Sequence, residues 1–233
     1  MTPPPESGSL TGEDRERSAL LATYRRRAGH YDLTANLYYL MGFREWAYRR
    51  RAVAALGVPA GGTVVEIGCG TGLNFELLQA AVGPAGRIIG VDLTDAMLVQ
   101  ARRRAQERGW DNVTLVQSDA LAYEFPEKID GILSTFALSL VPDCDQVIRN
   151  GAAALAPGGR WVVLDLKLAR RCPAWLVPLL LPLVRAFAVT RRVLDRRPWE
   201  RIEQAMRGTL GGVTVEQLYG GFAFLAAGER RER

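Results

Sequence analysis

From residue 57 onward, short apolar runs alternate with longer stretches of mixed polarity, the rhythm of a chain that crosses a sheet, returns by a helix and crosses again. The first run, Thr63-Val64-Val65-Glu66-Ile67, is β-branched and nearly continuous, which suits a strand buried on both faces. Gly68, Gly70 and Gly72 interrupt it, and Leu73, Leu77 and Leu78 then fall at helical spacing. This is strand, glycine turn, helix, the first half of a βαβ unit. The same reading predicts a second strand over 87–92, a helix over 95–108 capped by Thr94, and a third strand over 113–119. A fourth strand follows over 131–136, then a helix from Asp143 to about Leu155. An Ala156-Pro157-Gly158-Gly159 turn leads into a fifth strand over 160–166. Residues 198–206 read as a helix, and 213–219 and 222–227 as two strands joined through Gly220-Gly221.

The flanks read differently. Residues 1–13, with Pro3-Pro4-Pro5, are expected to form a disordered tail, and 14–56 a helical, amphipathic cap. In that cap, aromatic residues between 31 and 48 sit among arginine triplets, which fits either an interfacial membrane segment or helices packed on the sheet. The core is expected over 57–233, with an apolar and basic insertion over 167–207. Within it, 173–189 is strongly apolar but interrupted by Pro178, Pro182 and Arg185, so it reads as an interfacial plug or a buried lid rather than a spanning helix. On the helix at 95–108, Arg102, Arg103 and Arg104 are expected to face water.

Charge sharpens that picture. The net +5 is segregated: residues 60–166 carry −5 and residues 167–207 carry +7. A basic flank beside an acidic core points to an anionic partner, and the apolar run among the arginines favours a membrane surface over nucleic acid. The three cysteines, Cys69, Cys144 and Cys172, have neither disulfide-framework nor metal-ligand spacing, so no metal is expected and a reducing cytosol fits. The first residues hold no apolar core with a cleavage site, so no signal peptide is expected.

The glycine turn, Asp92 at the end of the second strand and Asp119 at the end of the third form one constellation. With Glu66-Ile67-Gly68-Cys69-Gly70-Thr71-Gly72 as first motif, it resembles the class I S-adenosylmethionine-dependent methyltransferases. The resemblance implies a Rossmann-like α/β fold: a mostly parallel seven-stranded sheet with an antiparallel edge hairpin and helices on both faces. It implies S-adenosylmethionine as cofactor, with S-adenosylhomocysteine as product, held by Glu66, Gly68, Cys69, Gly70, Gly72, Asp92, Leu93, Met97, Asp119, Ala120 and Thr135. Thr135 and Tyr31 are implied at its methionine end; Met97 suits adenine contact or core packing. Catalytic candidates are Tyr31, Tyr24 and the single histidine, His30.

The Tyr-Asp start at 31–32, the Gly-Thr-Gly-Leu-Asn-Phe run and Gly109-Trp110-Asp111-Asn112-Val113 look most like bacterial phospholipid N-methyltransferases. That likeness implies a lipid acceptor, phosphatidylethanolamine methylated towards phosphatidylcholine, by a cytoplasmic enzyme resting on the inner face of the plasma membrane. The alternative is a C-methyltransferase of a prenylated quinone precursor. A non-catalytic, membrane-bound cofactor-binding subunit is a third reading. Oligomeric state is not legible.

Overall fold

The computed structural model describes residues 25, 44–169 and 190–231. The tail at 1–13, most of the cap and the apolar run at 173–189 lie outside them, as do Tyr24, His30 and Tyr31. Helix α1 (Glu45–Leu56) leads to β1 (Thr63–Ile67), α2 (Phe75–Val82), β2 (Arg87–Asp92), α3 (Asp95–Glu107), β3 (Val113–Gln117) and β4 (Ile129–Thr135). Then come α4 (Cys144–Ala154), β5 (Leu155–Leu166), α5 (Arg191–Asp195), α6 (Pro198–Thr209), β6 (Leu210–Leu218) and β7 (Ala223–Arg230).

The strands form one sheet in the order β3-β2-β1-β4-β5-β7-β6. The first five run parallel, and β7 lies antiparallel to both β5 and β6. The order reverses between β1 and β4, which leaves a crevice at their carboxyl ends where open α/β sheets take ligands. The two faces are set by the period of two along each strand. Val64, Ile88, Leu133, Val162 and Leu164 pack with α1, α2 and α3, whereas Val65, Ile67, Ile89, Ile132, Trp161 and Val163 pack with α4 and α6.

Three local expectations change. Strand β5 begins at Leu155 because that residue pairs with Ile129 before the Pro157-Gly158-Gly159 loop bulges out, and Arg160 then takes up register with Gly131. Thr94 occupies the N-cap position of α3 without a side-chain capping bond. On α3, Arg102 and Arg103 are exposed but Arg104 is half-buried. On helix α1, Arg50 and Arg51 are exposed while Arg49 is 4% exposed and turned inward.

Candidate functional site

The glycine turn leaves β1 on positive φ angles of 70°, 55° and 75° at Gly68, Gly70 and Gly72. That region is costly for any residue with a Cβ. Gly68 N and Cys69 N both donate to Val91 O, at 2.8 and 3.0 Å, so the turn is pinned to the neighbouring strand. A Cβ on Gly70 would meet nothing within 4 Å, so backbone there borders open space. Cys69 has little left to offer a ligand: its amide is engaged, its carbonyl accepts from Gly72 N at 2.9 Å, and its side chain is buried. Burial pushes the thiols of both Cys69 and Cys144 up, the latter to about 11, so neither is a ready nucleophile.

Asp92 faces this turn from the end of β2. Its Oδ2 accepts from Gly70 N at 2.9 Å and its Oδ1 from Thr94 N at 2.8 Å. Burial raises its pKa even so, ahead of the lowering bonds from Thr94 and Gly70. Each carboxylate oxygen keeps acceptor capacity after one bond, which suits a pair of vicinal hydroxyls. Ser118 N donates to Asp92 O at 3.0 Å, which brings the end of β3 alongside. Asp119 follows, half-buried, its Oδ1 accepting from Leu121 N at 2.9 Å, with Ala120 half-buried beside it. Leu93 is half-buried, and Met97, 2% exposed, packs into the core.

Glu66 and Thr135 lie on the same sheet face at the ends of β1 and β4, towards α1 and α2. Both are buried in a polar cluster with Asn74, Arg49 and Glu45. Asn74 Nδ2 donates to Glu66 Oε1 at 2.5 Å and to Thr135 Oγ1 at 2.9 Å. Arg49 Nη1 donates to Thr135 Oγ1 at 2.7 Å and to Asn74 Oδ1 at 3.1 Å, while Nε and Nη2 bind Glu45. The guanidinium also lies 5.2 Å from the ring centroid of Phe136, a residue at φ 55° just beyond β4. Nothing in the sequence marked Arg49, Asn74 or Glu45 as site residues. Glu45 and Arg49 share i,i+4 spacing, but so do many exposed helix pairs.

Burial drives the Glu66 carboxyl up to about 7, against the lowering effects of Asn74 and Arg49. The native state therefore binds a proton that the unfolded chain has released between pH 4.5 and about 7, and stability falls as pH rises through that window. Asp165, pushed up to about 6 by burial, acts in the same direction but only below about pH 6. In Glu66→Gln the decline above pH 6 should vanish, with a gain at pH 8 of up to roughly 3 kcal/mol. Urea unfolding of both proteins at pH 6 and 8 checks it; parallel declines would count against a protonated Glu66.

Among the described residues, no group of three or more His, Cys, Asp or Glu side chains could hold a metal ion. No helix among them is long and apolar enough to cross a membrane.

Residues 64–159 match the family described as Methyltransferase domain. Over 140 residues the chain is 35% identical to the ubiquinone/menaquinone biosynthesis C-methyltransferase UbiE of Hahella chejuensis, covering 59% of this chain and 55% of that one. It is 37% identical over 119 residues to the 2-phytyl-1,4-naphtoquinone methyltransferase of Thermosynechococcus vestitus, covering 51% and 52%. The chain thus spans little more than half the length of these relatives. Among solved structures, geranyl diphosphate C-methyltransferase from Streptomyces coelicolor superposes with a TM-score of 0.61 at 20% identity, over 80% of this chain and 79% of that one. Haemonchus contortus phospholethanolamine N-methyltransferase 2 gives 0.63 at 22%, over 76% and 40%. At such identities the likeness is one of fold alone.

The expected kinship with phospholipid N-methyltransferases is corrected by these relatives, which are named as methyltransferases of ubiquinone/menaquinone biosynthesis and of 2-phytyl-1,4-naphtoquinone. Of the residues that suggested it, Tyr31 and Asp32 lie outside the described residues, and the glycine run and the turn at 109–113 lie within the stretch that matches the methyltransferase domain. Residues 64–159 thus match a methyltransferase domain, and the sheet that holds them has the fold of solved methyltransferases.

Proposed function

We propose that this protein transfers a methyl group from S-adenosylmethionine to a ring carbon of a lipophilic, quinone-type acceptor. The observation that carries the acceptor class is the set of relatives at 30–37% identity, named as methyltransferases of ubiquinone, menaquinone, phytylated naphthoquinone and demethylmenaquinone. The cleft fits the cofactor on its own chemistry: open backbone at Gly70, a half-buried Asp92 with acceptor capacity to spare, and a buried Glu66 oxygen without a partner.

In this reading Gly68, Gly70 and Gly72 let the chain lie against the ligand, and Asp92 takes the ribose hydroxyls. Asp119 and the Ala120 amide take the adenine, Leu93 flanks it, and Glu66 and Thr135 face the cofactor's amino-acid end. Cys69 contributes turn geometry. A bound S-adenosylmethionine supplies an already activated methyl group, so the protein's tasks are alignment and exclusion of water. Carbon as nucleophile adds a third task. Loss of a ring hydroxyl proton raises electron density at the adjacent carbon; the new C–C bond forms as the C–S bond breaks, and the ring proton then leaves to a base. His30, Tyr31 and Tyr24 are our candidates for handling these protons.

A prenylated acceptor resides in a bilayer, and the exposed Arg191, Arg192 and Arg197 adjoin the apolar run at 173–189. We read this region as a peripheral contact with anionic lipid on the cytoplasmic side. The test supplies the purified protein with labelled S-adenosylmethionine and vesicles containing demethylmenaquinol, 2-phytyl-1,4-naphthoquinol or phosphatidylethanolamine. Label should appear in a quinol ring; label in no quinol would sink the proposal.

A further inference from the structure

Five polar side chains meet beneath the glycine turn, and counting their donors and acceptors fixes how each is oriented. Arg49 has five N–H groups, no acceptor, and no accessible neutral form. Its Nε and Nη2 go to Glu45 Oε1, at 2.8 and 2.7 Å. One Nη1 hydrogen goes to Asn74 Oδ1 at 3.1 Å and the other to Thr135 Oγ1 at 2.7 Å. With its oxygen turned to Arg49, Asn74 presents only its amide nitrogen to the sheet. The two amide hydrogens go to Glu66 Oε1 at 2.5 Å and to Thr135 Oγ1 at 2.9 Å. Thr135 Oγ1 thus accepts twice, which fills its lone pairs and leaves its hydroxyl hydrogen as a donor with no acceptor among the described residues. Glu66 Oε2 is buried and has no partner. Two buried carboxylate oxygens are thus left over, Glu66 Oε2 and Glu45 Oε2; at the ends of the adjacent strands β1 and β4, beside an open glycine turn, the network leaves the Thr135 donor and, once Glu66 is ionised, the Glu66 acceptor.

A donor and an acceptor so placed complement a zwitterion. We propose that Arg49 is a positioning residue for the amino-acid end of the methyl donor: by fixing Asn74 it turns Thr135 Oγ1–H towards the carboxylate and leaves Glu66 Oε2 for the ammonium. Arg49 does not itself touch the ligand. Without its charge the Asn74 amide can flip, and a flipped amide offers an oxygen to Glu66, reversing the pattern. The proposal rests on the reading of the cleft as an S-adenosylmethionine site and assigns the polarity of one end of it.

The test compares two ligands by calorimetry: S-adenosylhomocysteine, and 5′-methylthioadenosine, which keeps the nucleoside and sulfur but lacks the amino-acid end. In Arg49→Met and in Thr135→Val, affinity for S-adenosylhomocysteine should fall at least ~10-fold, while that for 5′-methylthioadenosine stays within about threefold. Thr135→Ser, which retains the hydroxyl, should bind both as the parent does. Thr135→Val leaves the Arg49–Glu45 pair intact, so the proposal stands or falls on it if Arg49→Met does not fold. Equal losses for both ligands would reduce the network to scaffolding and overturn the proposal; so would unchanged binding of S-adenosylhomocysteine. A parent protein that binds neither ligand would sink the cofactor reading itself.

Discussion

Asp92→Ala is expected to weaken S-adenosylmethionine binding by at least ~100-fold while leaving the protein folded, because two charge-assisted bonds to hydroxyls are worth roughly 3 kcal/mol or more together. The carboxylate sits at the end of β2 with each oxygen already accepting one backbone hydrogen, from Gly70 and from Thr94. Those bonds set its direction and leave acceptor capacity for a ribose. Its raised pKa says that ionisation there is held uphill by burial, so removing the charge relieves a cost and offsets part of the loss of the two backbone bonds. The fold should therefore tolerate the change. Asp119→Ala should cost less, about 10-fold, since a single hydrogen bond to adenine is lost. Calorimetric titration with circular dichroism on both variants decides the matter. A folded Asp92→Ala protein that bound the cofactor as tightly as the parent would sink the assignment of this cleft.

Gly68→Ala should be far more damaging than Gly70→Ala, though both glycines sit in one turn at positive φ. At Gly70 a methyl group meets open space, so only backbone strain of about 1 kcal/mol is added. At Gly68 it would lie 2.2 Å from the Cβ of Ala137, well inside any real contact. Ala137 cannot give way easily. The turn it opens, with a 3-10 segment at Leu138–Leu140, is clamped by Asp165, whose oxygens accept from Ser139 N and Ser139 Oγ, each at 2.8 Å. On the other side, Phe136 N is bonded to Leu164 O at 2.8 Å. Overpacking against so fixed a neighbour typically costs 1–3 kcal/mol beyond strain, so Gly68→Ala should lose roughly 3 kcal/mol and its cofactor site with it. Urea unfolding of Gly68→Ala, Gly70→Ala and the double variant Gly68→Ala/Ala137→Gly is the measurement. The double variant should recover all but the strain; equal stability of the two single variants would show that the clash is not felt.

Much of the architecture was legible because it is local. The bounds of β1 and β2 follow from β-branched runs closed by glycine and by Asp92, and α2 and α3 from apolar spacing of three and four. The edge hairpin could be read from two strand-like runs around Gly220-Gly221, where Gly220 takes φ 62°. The candidate acids Asp92 and Asp119 could be picked out because a strand-end carboxylate is a one-dimensional signal. The acceptor was not visible in this way: of the motifs that suggested a phospholipid headgroup, the glycine run forms the turn after β1, and the turn at 109–113 lies at the amino-terminal end of β3, where Asn112 bonds Gly83 O and Gly86 O away from the cleft.

Arg49 shows where sequence reading stops. In the chain it is one of three consecutive arginines after two aromatics, and solvation is the ordinary fate of such residues. Only when α1 packs across β4 and β5 does the fold bring Asn74, Glu66 and Thr135 to the Glu45–Arg49 pair, from two strands and the start of α2. Strand, turn and helix, and the presence of a nucleotide cleft, were determined by the order of residues along the chain, because short-range periodicity and backbone sterics suffice for them. Which charges are buried, which way each amide points and which atoms remain for a ligand were decided by tertiary structure, because burial and hydrogen-bond saturation depend on partners far apart in sequence.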